Sequence, residues 1–289
     1  MAKWLLIDGY NLTFRSFYGM PDLIRSDGFP TNAIHGWVRT LWRLVDNESP
    51  DHMVVFFDRG GDKRREALQP EYKANREACP EPLSLQIPFI KELTLAMGYG
   101  GIEKEGVEAD DLIGVNAREL AKNGEVVLIV SADKDLAQCV TDGVTQLLPP
   151  PTANPKLGWR RLDAEGVKSK FGVRPDQIPD YLALIGDTSD NIPGLQGVGP
   201  KTAAKWLNAY GNLERVIENC GKLKPQRFQS QVYEKADDLR CNLLMTTLQY
   251  DHEIQVLSNF TPDREKLLAL LSELEMKTAH RDASERYAK

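Results

Sequence analysis

The sequence has little from which to build a disulfide framework or a zinc centre. Its four cysteines, Cys79, Cys139, Cys220 and Cys241, include no C-x-x-C pair, and its four histidines, His35, His52, His252 and His280, are equally scattered. No stretch approaches the roughly 20 consecutive apolar residues of a membrane span. The opening MAKWLLIDGY runs straight into a strand-like segment with no signal-peptide pattern, so a cytoplasmic protein away from the membrane is expected. Basic residues are also short: 36 Lys and Arg stand against 42 Asp and Glu, a formal net charge of −6. Taken as a total, that balance argues against a nucleic-acid partner. A total hides distribution, however, and acids concentrated in one site would leave the remaining surface free to be basic.

At 289 residues and 42% hydrophobic content, the chain can bury a substantial core. Three short apolar runs share one form: KWLLID ending at Asp8, HMVVFFD ending at Asp58, and EVVLIVSAD ending at Asp133. Each is a continuous β-branched and aromatic run of the kind buried on both faces of a sheet. Helix-length segments at 33–47, 83–98 and 109–124 lie between them, which predicts an α/β fold around a mostly parallel sheet. In such sheets ligands bind outside the carboxyl ends of the strands, and here three strands end in aspartate. After residue 148 the proline-rich PPPTANPKLGWRR reads as a loop at the edge of the core. From about residue 163 strand-like runs cease and helical candidates follow, ending in one further helix and a polar tail. The predicted organisation is a core domain at 1–165 and a helical region at 166–289.

Two more acidic clusters join the strand-end aspartates. EGVEADDLIG places Glu108, Asp110 and Asp111 at a helix start, SADKDLAQ adds Asp135 after Asp133, and GDTSDN supplies Asp187 and Asp190. Acids in a first turn also complement the helix dipole, and any single strand-end aspartate is ordinary loop chemistry. Nine carboxylates drawn together would instead repel one another or take up protons unless cations were bound. Oxygen donors without His or Cys suit hard ions such as Mg²⁺, with Mn²⁺ as a substitute. A cluster this rich fits two such ions and in-line attack of an activated water on phosphorus. With these nine acids set aside, the rest of the chain carries a balance of +3.

The densest basic stretch follows Asp58 directly: RGGDKRREALQPEYKANR holds Arg59, Lys63, Arg64, Arg65, Lys73 and Arg76. A solvated charged helix is the plain reading of such a run, and its place beside the acids favours phosphate binding. Arg15, with Phe14, Phe17 and Tyr18, offers a cation and aromatic faces for a phosphate and a stacked base, although the same aromatics suit a core. GLQGVGPKT nearly spells a phosphate-binding loop, but Pro200 breaks the register before Lys201 and no strand precedes it, so no nucleotide cofactor is expected. It reads better as a turn between helices, with Gly197 and Gly199 free to take positive φ and Pro200 opening a helix. N–H groups there, with Lys201 and Thr202, would face a DNA phosphate.

The ordered set LIDGYN, FFDRGGDKRREALQPEYKANR, GVEADDLIG, SADKDLAQ and GDTSDNIPGLQGVGPKTA resembles the 5′-3′ exonucleases and flap endonucleases, most closely the N-terminal nuclease domain of bacterial DNA polymerase I. The likeness runs from about residue 3 to 250. It implies a PIN-like, Rossmann-like sheet core with a basic arch at about 60–82. A C-terminal helical region with a helix-three-turn-helix at about 180–210 would follow. The resemblance assigns Asp8, Asp58, Glu108, Asp110 and Asp111 to a first metal site, and Asp133, Asp135, Asp187 and Asp190 to a second, Asp133 lying near both. It makes Lys73 and Arg76 gateway residues over the scissile phosphate, puts Arg15, Phe17 and Arg65 near the DNA, and gives the 197–202 turn duplex backbone and often K⁺. The expected partner is DNA with 5′ ends, flaps or junctions, bound by a monomer that is either a stand-alone nuclease or an excised domain of a polymerase. A PIN-type ribonuclease and a non-catalytic DNA-structure binder are the competing readings. An aspartyl-phosphate phosphatase is excluded because Asp8 is not followed by the second acid of a D-x-D start.

Overall fold

The structure is a computed structural model that describes residues 1–151, 153–254 and 260–288. The chain opens with β1 (Lys3–Asp8), α1 (Gly9–Gly19), α2 (Asn32–Glu48) and β2 (His52–Arg59). It continues through α3 (Lys63–Leu68), α4 (Glu81–Ser84), α5 (Ile87–Ala96), β3 (Gly100–Glu105), α6 (Ala109–Lys122) and β4 (Val126–Val130). β5 (Val144–Leu148) and β6 (Arg160–Leu162) complete a six-stranded sheet of order β3-β2-β1-β4-β5-β6, parallel except for β6.

The alternation of side chains along a strand explains why the central runs are apolar throughout. Leu5 and Ile7 of β1, with Val55 and Phe57 of β2, face a core formed with α2 and α5. Trp4 and Leu6, with Val54 and Phe56, face the other way, onto Leu112, Ile113 and Ala117 of α6. With both faces covered, no polar alternation is possible. β3 is different: its GGIEKE sequence alternates buried and exposed positions because it forms the sheet edge, and it carries none of the apolar signal of the central strands. The third expected strand also ends earlier than its sequence suggests. β4 stops at Val130, and Asp133 and Asp135 lie in the turn that follows.

The helical region comprises α7 (Ala164–Phe171), α8 (Ile178–Ile185), a two-residue hairpin of β7 (Gly186–Asp187) and β8 (Ile192–Pro193), α9 (Pro200–Tyr210), α10 (Leu213–Glu218), α11 (Gln229–Glu234) and α12 (Ala236–Thr246). It has its own core around Tyr181, Leu182, Trp206, Leu207 and Phe228, which Leu148 and Leu162 of the sheet join. The hairpin depends on two glycines. Gly186 has φ +78°, and a Cβ on Gly194 would sit 2.2 Å from the carbonyl carbon of Ile185. Of the two turn glycines expected at positive φ, Gly197 adopts it (φ +76°), whereas Gly199, at φ −102°, serves as the N-cap of α9 with Pro200 as its first residue.

The tail departs from the expected single helix. It forms α13 (Arg264–Glu273) and α14 (Lys277–Arg286), separated by Glu275 at φ +56°. Leu267, Leu271, Leu274, Met276 and Ala283 are buried in the core of the N-terminal sheet, not in that of the helical region. The last residues of the chain therefore return to the first structural unit. No helix among the described residues is long and apolar enough to cross a membrane.

Candidate active site

The sheet carries the acids to one end. Asp8 closes β1 and caps α1, its Oδ1 accepting from the Asn11 N–H at 3.0 Å and its Oδ2 from the Ser131 hydroxyl at 2.8 Å. Asp58, near the end of the neighbouring β2, accepts from the Ala109 N–H at 2.7 Å and so holds the start of α6 against the sheet. That contact sets Asp110 in place. Asp8, Asp58, Asp110 and Asp133 line one pocket of about 270 Å³, together with Asn11, Tyr10 and Phe14 of α1 and with Lys73 and Arg76. Beside it, Asp135, Asp187 and Asp190 each offer a carboxylate oxygen within 4.8 Å of the others.

Seven carboxylates share this space, and three of them carry a visible electrostatic penalty. Burial first, then the charges of Asp133 and Asp58, pushes the Asp8 carboxyl up to about 7 against its two hydrogen bonds. Burial together with Asp133, Asp8, Asp58 and Glu108 holds Asp110 well above the usual carboxylate range. Burial and Asp133 push Asp135 up to about 8. Asp187 is held below its ordinary value: burial works against this, and Lys134 and Ser189 outweigh it. The donor set also fits hard cations. All its atoms are carboxylate oxygens, and the buried Oδ1 of Asp135 has no hydrogen-bond partner among the described residues, only the Lys134 ammonium at 3.5 Å. The two groups of acids are therefore suited to divalent ions.

The segment after α3 closes over these acids. Lys73, at φ +56°, pairs its ammonium with Glu108, and its N–H donates to the Asp190 carbonyl at 3.1 Å. Arg76 donates to Asp190 Oδ1 at 2.6 Å. The hydroxyl of Tyr72 lies 3.0 Å from Glu108 and 3.3 Å from Asp190. Burial opposes the charge on Lys73, but Glu108 and Asp190 outweigh it and keep the ammonium protonated. On Glu108 the balance runs the other way, burial exceeding the pull of Lys73 and Arg65, so its carboxyl is raised.

Two expected site residues stand elsewhere. Asp111 is fully buried and both its oxygens are taken: Arg65 contacts them at 2.7 and 3.0 Å, and the Gln249 N–H donates at 2.7 Å. It faces away from the pocket that Asp110 enters, because adjacent residues on a helix point about 100° apart. Arg65, expected to meet DNA, is 3% exposed, paired with Asp62, Glu108 and Asp111, and donates to the carbonyls of Met245 and Thr247. It ties α3 and α6 to the end of α12 from within. Phe17 is half-buried against the N-terminal core, and Arg15 lines a second cavity beside α1. Lys201 is exposed at the start of α9, one residue before the half-buried Thr202.

Sequence reading missed Tyr72, Ser131 and Lys134. Lys134 sits between two predicted acids and donates to Asp187 Oδ2 at 2.7 Å. Its position inside SADKD was the available signal. Tyr72 stands immediately before Lys73 in PEYKANR, and the link it makes between Glu108 and Asp190 spans segments far apart in the chain.

A mostly parallel sheet that gathers carboxylates at its carboxyl ends, opposite a lysine and an arginine, and joins a helical unit defines the architecture and site of a nuclease. The chain belongs to the 5′-3′ exonuclease family: residues 3–172 match its N-terminal resolvase-like domain and residues 173–266 its C-terminal SAM fold. A 5′-3′ exonuclease of Aquifex aeolicus is 39% identical over 282 residues, covering 96% of this chain and 94% of the relative. DNA polymerase I of Bacillus subtilis is 36% identical over 280 residues, covering 96% of this chain and 32% of the relative, so the chain spans about a third of that protein. A bacteriophage T5 flap endonuclease, solved as a pseudo-enzyme-product complex with DNA and metal ions, shares the fold. Its TM-score is 0.71 at 21% identity, with 99% of this chain and 100% of that one covered.

Proposed function

We propose that the protein is a Mg²⁺-dependent, structure-specific 5′ nuclease that hydrolyses DNA phosphodiester bonds at 5′ ends and flaps, with two ions at the acids described above. The observation that carries this reading is the single pocket in which Asp8, Asp58, Asp110 and Asp133 face Lys73 and Arg76. Asp8, Asp58, Asp110 and Asp133 would hold one ion, with the buried Glu108 joining them only when Lys73 releases it, and Asp135, Asp187 and Asp190 would hold the other. When bound, such ions polarise phosphoryl oxygens and acidify water. Asp111, spent on Arg65, is left out of this assignment.

The chain's own residues do the positioning. A phosphate entering the pocket would take the Lys73 ammonium from Glu108 and the Arg76 guanidinium from Asp190, exchanging a carboxylate for a phosphoryl oxygen at each. Both cations would then meet the charge that builds on the equatorial oxygens. Tyr10 and Phe14 wall the pocket and limit water there. In the helical unit, the 197–202 turn and Lys201 would hold duplex backbone at a distance from the cut.

A 5′-labelled flap duplex incubated in Mg²⁺ and in EDTA tests this reading, with a single-stranded RNA of the same sequence alongside. Metal-dependent release of short 5′ products from DNA is expected. Cleavage that survives EDTA, or equal turnover of the RNA, would overturn it.

A further inference from the structure

Helix α1 separates two cavities. One is the acidic pocket, which Phe14 lines. The other, about 230 Å³, is lined by Arg15 and Ser16 of α1 and by Arg39, Thr40 and Arg43 of α2. No carboxylate lines it, in a chain whose acids outnumber its basic residues 42 to 36. Arg39 and Arg43 lie four residues apart on one face of α2, where like charges repel each other. Both are exposed, and neither makes a hydrogen bond or ion pair with a described residue. Arg25, Arg64, Arg76, Arg174, Arg240 and Arg286 pair with carboxylates, whereas Arg160, Arg215 and Arg227, like Arg39 and Arg43, have no carboxylate partner among the described residues. What sets Arg39 and Arg43 apart is that they share one cavity with a third arginine.

The backbone holds this charge together. Gly36 brings α2 so close to α1 that a Cβ there would fall 2.8 Å from the Cβ of Ser16. Arg39 and Arg43 thus stand together in a space that Arg15 also lines, and their mutual repulsion is a cost that a bound anion would remove. The cavity also lies in register with the catalytic pocket. Arg15 follows Phe14 directly, and the seven residues from Asp8 to Arg15 rise about 10 Å along α1.

We propose that Arg15, Arg39 and Arg43 form a phosphate subsite. It holds the sugar-phosphate backbone of the nucleic-acid strand whose neighbouring phosphate lies among the acids. Guanidinium groups suit this contact because they grip phosphate oxygens in pairs. The subsite rests on the nuclease reading and adds to it a second point of grip across α1. It fixes how far along the strand the cut falls.

The experiment is a salt titration of 5′-flap DNA binding by fluorescence anisotropy in EDTA, using the full chain and its R39A/R43A variant. Each phosphate contact contributes about 0.9 to the slope of log K against log salt, so the variant's slope should fall by about 1 to 2. Lysines at both positions should restore most of the slope but not the full affinity. Should the alanine variant melt lower than the parent, R39Q/R43Q keeps side-chain bulk and removes the same charge. A slope within about 0.3 of the parent for the folded variant overturns the subsite, given the slope of about 0.9 expected per phosphate. If the parent also fails to cut the flap in Mg²⁺, the nuclease reading falls as well. If it cuts normally, only the subsite is lost.

Discussion

Replacing Asp8 with asparagine should stabilise the metal-free protein at pH 8 and do nothing for it at pH 4.5. In the fold, burial with help from Asp133 and Asp58 moves this carboxyl from its ordinary 3.8 to about 7. The folded state therefore binds the proton more tightly than the unfolded one. The stability this contributes is complete below about pH 4 and disappears as pH rises through about 7. At about 1.36 kcal/mol for each tenfold change in proton affinity, the ionised carboxylate costs the metal-free fold about 4 kcal/mol at pH 8. The substituted amide would carry no charge, and its oxygen would still accept from the Asn11 N–H at the head of α1. It would give up the carboxylate's bond from Ser131, worth about 1 to 3 kcal/mol. A net gain of about 1 to 3 kcal/mol remains, and each kcal/mol moves the melting temperature of a chain this size by about 2 to 4 °C. Thermal melts in EDTA at the two pH values measure it. An Asp8→Asn protein that melts at or below the parent at pH 8, or that gains equally at both, would refute the reasoning. Adding Mg²⁺ at pH 8 should reverse the order, because the parent regains a neutralised carboxylate and the variant has lost a ligand.

Three further outcomes follow from the same contacts. Arg65→Met should destabilise the fold by about 3 to 5 kcal/mol, because Asp62 and Asp111 would be left buried without their cation and Glu108 with Lys73 alone; chemical denaturation checks this, and a loss below about 1 kcal/mol would show that the cluster relaxes. Lys73→Met should lower kcat by about 10²-fold or more, with the melting temperature nearly unchanged; an equal loss of DNA affinity would place the ammonium in binding instead. Lys201→Ala should lower the salt slope of duplex binding by about 1 while leaving metal-induced stabilisation intact, and an unchanged slope would show that the 197–202 turn does not touch phosphate.

Strands β1, β2 and β4 were legible in the sequence because burial on both faces leaves continuous apolar runs with no competing pattern. β3 was not, since GGIEKE at a sheet edge buries alternate positions only. The tail misled for a related reason. Its leucines read as one amphipathic helix, and nothing local shows that Glu275 turns the chain back onto the first core. Among the acids, sequence spacing identified the group but not each member's partner. Asp110 and Asp111 are neighbours with opposite fates: one enters the pocket and the other is consumed by Arg65. That distinction depends on α3 and α12 packing against α6, contacts between segments more than 40 residues apart. For the same reason a basic run that read as a phosphate surface contains one arginine that is structural and buried.

Asp133 is the residue whose charge reaches both groups of acids, acting on Asp8, Asp110 and Asp135 alike. The most direct test of the account is therefore a single-turnover cleavage of flap DNA by Asp133→Asn in saturating Mg²⁺, beside its DNA affinity in EDTA. If the clustered acids carry the chemistry, the rate falls by at least about 10³-fold, while DNA affinity stays close to that of the parent. A variant that binds DNA normally and cuts at a rate close to the parent's would contradict the claim that this pocket is where the phosphodiester bond is broken.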